Sequence, residues 1–144
     1  MEDIIKISEN RTKHMLAVAR KCYNLARIQY GQSEEFARRM FLIGYLHDVG
    51  YEFTANSEEH PQVAYDMIKS TFGVEIDSIR THGDPEESCK SLEARILNTA
   101  DLTTNNKGDD VSAAERIENI KINYGENSHQ YKNAIKLAKK LHLI

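Results

Sequence analysis

The sequence predicts an all-α protein, a compact bundle of about six or seven helices, and three observations carry that reading. Apolar residues recur three and four positions apart through most of the 144 residues, the spacing of a helix with one buried face. Serine, proline and glycine fall between these stretches, where helix starts and stops need them. No segment alternates apolar and polar residues as a half-buried strand would.

Taken in order, residues 11–30 read as the first long helix, stopped by Gly31. Ser33 with Glu34 and Glu35 caps and charges the start of the second, which runs to about Asp48 before Gly50 breaks it. Residues 51–59 are polar and loop-like. Pro61 opens a third helix at its first turn, where its missing N–H is no loss, and Gly73 closes it. A shorter helix from about Glu75 carries Ile76, Ile79 and His82 and ends at Gly83, Asp84 and Pro85. Residues 91–102 form the next helix, followed by a turn-rich loop over 105–110. Ser112 and Glu115 make a capping box for a helix to about Asn123, and Gly125 separates it from a last helix over 128–143. With no repeat, low-complexity tract or linker, residues 1–144 are expected to form a single domain.

Charge and composition exclude several classes. The net charge is -3, with 19 basic and 22 acidic residues interspersed, so no basic face is expected for polymeric nucleic acid. The longest apolar run, near residues 41–46, is too short to span a bilayer, and Met1-Glu2-Asp3 is acidic where a signal peptide is basic. A cytoplasmic protein with no membrane partner is the expectation. Cys22 and Cys89 make no disulfide framework, which suits a reducing compartment, and either reads as a lone core thiol.

The chemistry is concentrated in the adjacent pair His47 and Asp48. Counting back from His47 in helical steps gives Ile43, Met40 and Phe36, an apolar stripe that faces a core. An ionisable pair at the end of such a stripe needs a partner, because desolvating imidazole and carboxylate is costly. A metal ion converts both costs into ligand bonds. That idea requires further His and Asp on apolar stripes, and the sequence has them. His14 shares a face with Val18, Cys22 and Leu25, and His60 with Val63, Ala64 and Met67. His82 follows Ile79 by three residues, and Asp101 follows Leu97 by four. His129 and His142 lie in a Lys-rich helix and read as ordinary surface or boundary residues, with Lys132, Lys136, Lys139 and Lys140 as a solvated face.

The order His, His-Asp, His, His, Asp resembles the HD-domain superfamily of metal-dependent phosphohydrolases. The matching stretches surround His14, His47 with Asp48, His60 with Pro61, His82 with Gly83, and Asp101, and they cover residues 11–102. The resemblance implies an HD-domain-like helical bundle in which His14, His47, Asp48 and Asp101 hold one metal. It implies that His60 and His82 hold a second, with Asp48 bridging, and that Asp48 and His47 are the catalytic residues. Members with one metal generally lack the two middle histidines, so a dinuclear site is the expectation. The mixed nitrogen and oxygen donors suit divalent Fe, Mn, Zn, Co or Ni over Mg or Ca. Two such ions activate a water and neutralise charge on phosphoryl oxygens.

The substrate expected on that basis is a small phosphorylated compound, a nucleotide by preference, bound by Arg11, Lys13, Arg80 and Lys107. Arg11 and Lys13 flank His14, Arg80 precedes His82, and Lys107 follows Asp101 in its loop. Tyr45, Tyr51 and Phe53 either stack on a base or simply pack, and Glu52 is either a proton shuttle or a plain loop carboxylate. Cyclic dinucleotides are disfavoured. Gly50, Tyr51 and Glu52 stand where many of these phosphodiesterases have a lysine, and His82 lacks the paired histidine of that group. The layout resembles the small bacterial HD proteins that include a symmetrical diadenosine-tetraphosphate hydrolase. Two other functions fit the same donors: an HD-type di-iron oxygenase, and a non-catalytic nucleotide-binding sensor.

Overall fold

The computed structural model describes residues 9–53 and 57–144. They form α1 (Glu9–Asn24), α2 (Glu34–Leu46), α3 (His60–Phe72), α4 (Asp77–Arg80), α5 (Leu92–Leu102), α6 (Ala113–Tyr124) and α7 (His129–Lys140). Among the described residues the extended pairing is limited to one isolated bridge between Thr104 and Asp110. The fold is all-α.

Four helices start in the same way. The hydroxyls of Ser33, Ser91, Ser112 and Ser128 each accept from the backbone N–H three residues on, at 3.0–3.1 Å. Each serine thereby satisfies a donor that the first turn leaves without an intrahelical partner. Helix ends follow local chain geometry. Gly73 closes α3 in the left-handed region at φ 69°. Beyond α1 the chain makes a π turn over Leu25–Gln29, and Gly31, at φ 59°, lets the Gln32 N–H close back on the Ala26 carbonyl at 2.9 Å.

Four stretches differ from the sequence expectation. The second helix stops at Leu46, so His47 sits at its C-cap and Asp48 beyond it. The fourth is a single turn, Asp77–Arg80, and His82 lies in the turn that follows, because Gly83 enters the left-handed region at φ 84°. Residues 51–59 are not simple loop: 3-10 turns cover Val49–Phe53 and Ser57–Glu59. The last helix ends at Lys140, three residues early, with His142 at φ 59° and the Leu143 N–H closing on the Ala138 carbonyl.

Two apolar clusters organise the molecule. The larger joins Val18 and Cys22 of α1, Met40 and Ile43 of α2, Ile68 of α3, Ile79 of α4, and Ile96 and Leu97 of α5. The smaller joins Leu102 at the end of α5 to Ile117 of α6 and to Leu137 and Leu141 of α7. Helix α5 therefore belongs to both. Two glycines permit close approaches between helices. A Cβ on Gly44 would lie 2.9 Å from the Ala19 Cα, so α2 rests on the backbone of α1. A Cβ on Gly50 would lie 2.0 Å from the His60 carbonyl oxygen, so the chain after Asp48 is pressed against the first turn of α3.

These contacts are backbone, which side chains cannot yield to. Gly44→Val is therefore expected to cost about 1–3 kcal/mol through overpacking, read as a lower urea midpoint with an unchanged slope.

Candidate metal centre

Five of the elements above deliver one side chain or more to a single cluster. His14 comes from the middle of α1, His47 and Asp48 from the end of α2, and His60 from the first residue of α3. His82 comes from the turn after α4 and Asp101 from the last turn of α5. His47 is wholly buried, and His14, Asp48 and His82 are buried with it.

The geometry divides at Asp48. Its Oδ2 lies 3.3 Å from His14 Nε2 and 3.2 Å from His47 Nε2. Its Oδ1 lies 3.3 Å from His60 Nε2 and 3.4 Å from His82 Nε2. Asp101 Oδ1 joins the first group, 2.9 Å from His14 Nε2 and 3.3 Å from His47 Nε2. Two sets of donors result, His14, His47, Asp48 and Asp101, and Asp48, His60 and His82, and within each set the donor atoms lie within 4.8 Å of one another. One carboxylate serves both.

Ring orientation is fixed from behind. The Nδ1–H of His47 donates to the Gly44 carbonyl at 2.6 Å, that of His82 to the Ile79 carbonyl at 2.6 Å, and that of His14 to the Asn105 carbonyl at 2.8 Å. With Nδ1 committed as donor, the neutral ring turns the Nε2 lone pair into the cluster, the tautomer a metal ligand requires. At the second set, His60 Nε2 and His82 Nε2 face each other at 2.8 Å beside a carboxylate oxygen. Inward-facing lone pairs with few hydrogens between them suit a cation.

Electrostatics agree. Burial works against charge on His14, but hydrogen bonds to Asp101 and Asp48 outweigh it and push the ring up to about 9. Burial opposes charge on His47 as well, and the facing charges of Asp48 and Asp101 raise it well above the usual imidazole range. Burial would raise both carboxyls, but His47 and His14 hold Asp48 and Asp101 well below the ordinary carboxylate range. His82 is lowered, first by burial and then by its imidazole neighbours, so it prefers to be neutral. Without an ion, protons on His14 and His47 offset the two carboxylates; a divalent ion on the same donors would take the place of those protons.

A cavity of about 740 Å³ opens beside the cluster, and Leu102, Ala134 and Leu137 of the smaller apolar cluster form part of its wall. Arg11 and Arg80 line it. Arg11 Nη1 is 3.7 Å from Asp48 Oδ2, and its guanidinium lies 3.9 Å above the Tyr51 ring, which in turn stacks on His60 at 3.7 Å. Tyr51 thus packs between a cation and a ligand ring, which takes up the face a base would need. Lys13 and Lys107 do not line the cavity: Lys13 is exposed and paired with Glu9 at 3.3 Å, and Lys107 is exposed on its loop. Tyr45 does not line it either, and the side chains of Glu52 and Phe53 lie outside the described residues.

Several positioning residues have no counterpart in the sequence reading. Asn98, 1% exposed, accepts from the Gly83 N–H at 2.9 Å and donates to the Ala94 carbonyl, which staples the His82 turn to α5. An amide on the inward face of α5 between Leu97 and Asp101 was its available signal. Gly108 packs its α-carbon against the Lys13 carbonyl, where a Cβ would come within 2.6 Å, and so seats the loop that carries the Asn105 carbonyl. Lys21 Nζ donates to the Thr103 carbonyl at 2.6 Å and pairs with Asp110, strapping the same loop to α1. Arg116 and His129 also line the cavity, although His129 reads as a surface residue in the sequence. Cys22 is fully buried with its thiol pushed up by burial, a core group as expected.

The family model for the HD domain matches residues 11–106, a span that contains all six of these His and Asp groups. No curated protein and no solved structure matches the chain.

A shared carboxylate has a measurable signature. Asp48→Ala is expected to lower the bound transition metal at both sets, whereas His82→Ala lowers it at one, read by elemental analysis after gel filtration. Equal metal content in Asp48→Ala and the parent protein would contradict the sharing. Asn98→Ala is expected to weaken metal uptake about tenfold to a hundredfold through the His82 turn, read by competition with a chromogenic chelator.

Proposed function

The chain belongs to the HD-domain family, and from that premise we propose that it is a metal-dependent phosphohydrolase acting on a small phosphorylated compound, with a nucleotide as the preferred class. The observation that carries the reading is Asp48, whose two oxygens each face a separate set of imidazoles. In this reading His14, His47, Asp48 and Asp101 hold one divalent ion, and His60 and His82 share Asp48 around a second. The donor mixture favours Fe, Mn, Zn, Co or Ni. Bound there, the ions lower the pKa of a water and offset charge on the phosphoryl oxygens.

The protein's own groups supply position and charge. Arg11, beside Asp48 and held flat on Tyr51, offers N–H donors to a phosphoryl oxygen entering the cavity. Arg80, at the rim and partly engaged by Asp77, gives a second cation on the approach. His47 and Asp48 are the proposed catalytic residues: the Gly44 carbonyl locks the imidazole, and the Asp48 carboxylate, one oxygen toward each set of imidazoles, would hold the ions that activate a water. Hydrolysis forms a bond from the water oxygen to phosphorus and breaks the bond from phosphorus to the leaving oxygen. The leaving oxygen takes up a proton.

Phosphate release from nucleotides and generic phosphoesters, abolished by chelator and restored by Mn or Fe, is the expected outcome. Oxygen consumption is followed in the same samples, because uptake of oxygen without phosphoester cleavage would replace this reading with di-iron oxygen chemistry. Arg11→Gln is expected to raise KM more than it lowers kcat, as loss of uniform phosphate binding does.

A further inference from the structure

The cavity extends well beyond the metal cluster. Its far side is built by α6 and α7, which lie outside the residues matched by the HD family. That side combines two cations, Arg116 and Lys136, with the amides of Asn123 and Asn133 and the ring of Tyr124. It is chemically unlike a simple cavity wall.

The cations are what decide its character. Many basic residues elsewhere are answered by carboxylates, among them Lys13 by Glu9, Arg39 by Glu93, Lys69 by Glu75, Arg80 by Asp77 and Lys90 by Glu87, while Arg20, Arg95, Lys107, Lys132 and Lys139 have no ion pair among the described residues and, unlike Arg116 and Lys136, do not line the cavity. In a chain with more acidic than basic residues, such partners are plentiful. Neither Arg116 nor Lys136 has a carboxylate partner among the described residues. Arg116 donates through Nη1 to the Asn106 side chain at 2.9 Å, while its Nε is buried and has no hydrogen-bond partner. The Nε is out of reach of the cavity, so it is the Nη edge of this cavity-lining guanidinium that can meet a ligand. Asn106 adjoins Asn105, whose carbonyl holds His14, so Arg116 is tethered to the loop that borders the metal cluster.

We propose that this α6–α7 side is a second anion subsite, in which Arg116, assisted by Lys136, holds a phosphate of the substrate other than the one that reacts. The inference rests on the phosphohydrolase reading and narrows it: the substrate class is a small compound with at least two phosphate groups. The Arg116 guanidinium suits a phosphate oxygen pair, and Lys136 reaches in from the rim as a point charge. The exposed ring of Tyr124 and the two amides border the remaining space, where the organic part of such a compound would lie.

The test uses probes that no phosphohydrolase can cleave. Propane-1,3-bisphosphonate and propylphosphonate are titrated calorimetrically into the full chain with Mn present. The bisphosphonate is expected to bind at least about tenfold more tightly, the scale of one charged hydrogen-bonded contact. In Arg116→Gln that preference should shrink to below about threefold, and Arg116→Lys should recover part of it. Lys136→Gln, on an exposed position, should reduce it to a smaller extent and guards against a folding defect at Arg116. Equal binding of the two probes by the parent protein, or an unchanged preference in Arg116→Gln, overturns the subsite. Failure of the hydrolase reading shows separately, as absent phosphate release in a protein that still discriminates between the probes.

Discussion

A buried carboxylate surrounded by imidazoles is tolerable only when positive charge is shared with it, and the arrangement around Asp48 follows from that demand. Alone in a core, an ionised carboxylate would be too costly to keep. Here each oxygen faces two rings, and Arg11 approaches the outer edge. Removing one ring would leave charge unbalanced rather than open a harmless gap. Five elements of the fold converge on this one carboxylate.

The way the rings are held explains why two of the candidate donors, His47 and His82, sit just past helix ends. The last turn of a helix has carbonyls without intrahelical partners. His47 uses one, the carbonyl of Gly44 three residues back, and His82 uses another, that of Ile79 three residues back. Each helix thus orients its own candidate donor through a carbonyl of its last turn. His14 lies mid-helix, where carbonyls are already engaged, and has to borrow one from Asn105 across the molecule. That single requirement accounts for the care with which the 103–110 loop is fastened, by Gly108 against the Lys13 backbone and by Lys21 to Thr103 and Asp110.

How much of this was legible in the sequence depended on the range of the interaction. Helical periodicity and serine caps are local, so the all-α class and most element boundaries could be read directly. The inward His and Asp groups could be found because each interrupts an apolar stripe, a local contradiction with a non-local cause. Ring-orienting carbonyls carry no side-chain signal, and for that reason Asn105 stayed invisible. Lys13 and Lys107 illustrate the opposite failure: closeness in sequence to a ligand does not direct a long, solvated side chain, and Lys13 turns to Glu9 one helical turn away. Arg116 and His129 reach the cavity only because α6 and α7 fold back across it, which no spacing in their own helices indicates.

That fold-back depends on one boundary in α5. Asp101 belongs to the metal cluster, and Leu102, the next residue, belongs to the apolar cluster that seats α6 and α7. Successive residues of a helix point about 100° apart, so the last turn of α5 can serve a polar cluster on one side and an apolar one on the other. The distance between the candidate metal donors and the α6–α7 wall is thereby set by packing on a single helical element as well as by the fastened loop that joins α5 to α6. A cavity whose two ends are referenced to the same helical turn keeps its length, and a fixed length lets it discriminate among ligands by the separation of their charged groups.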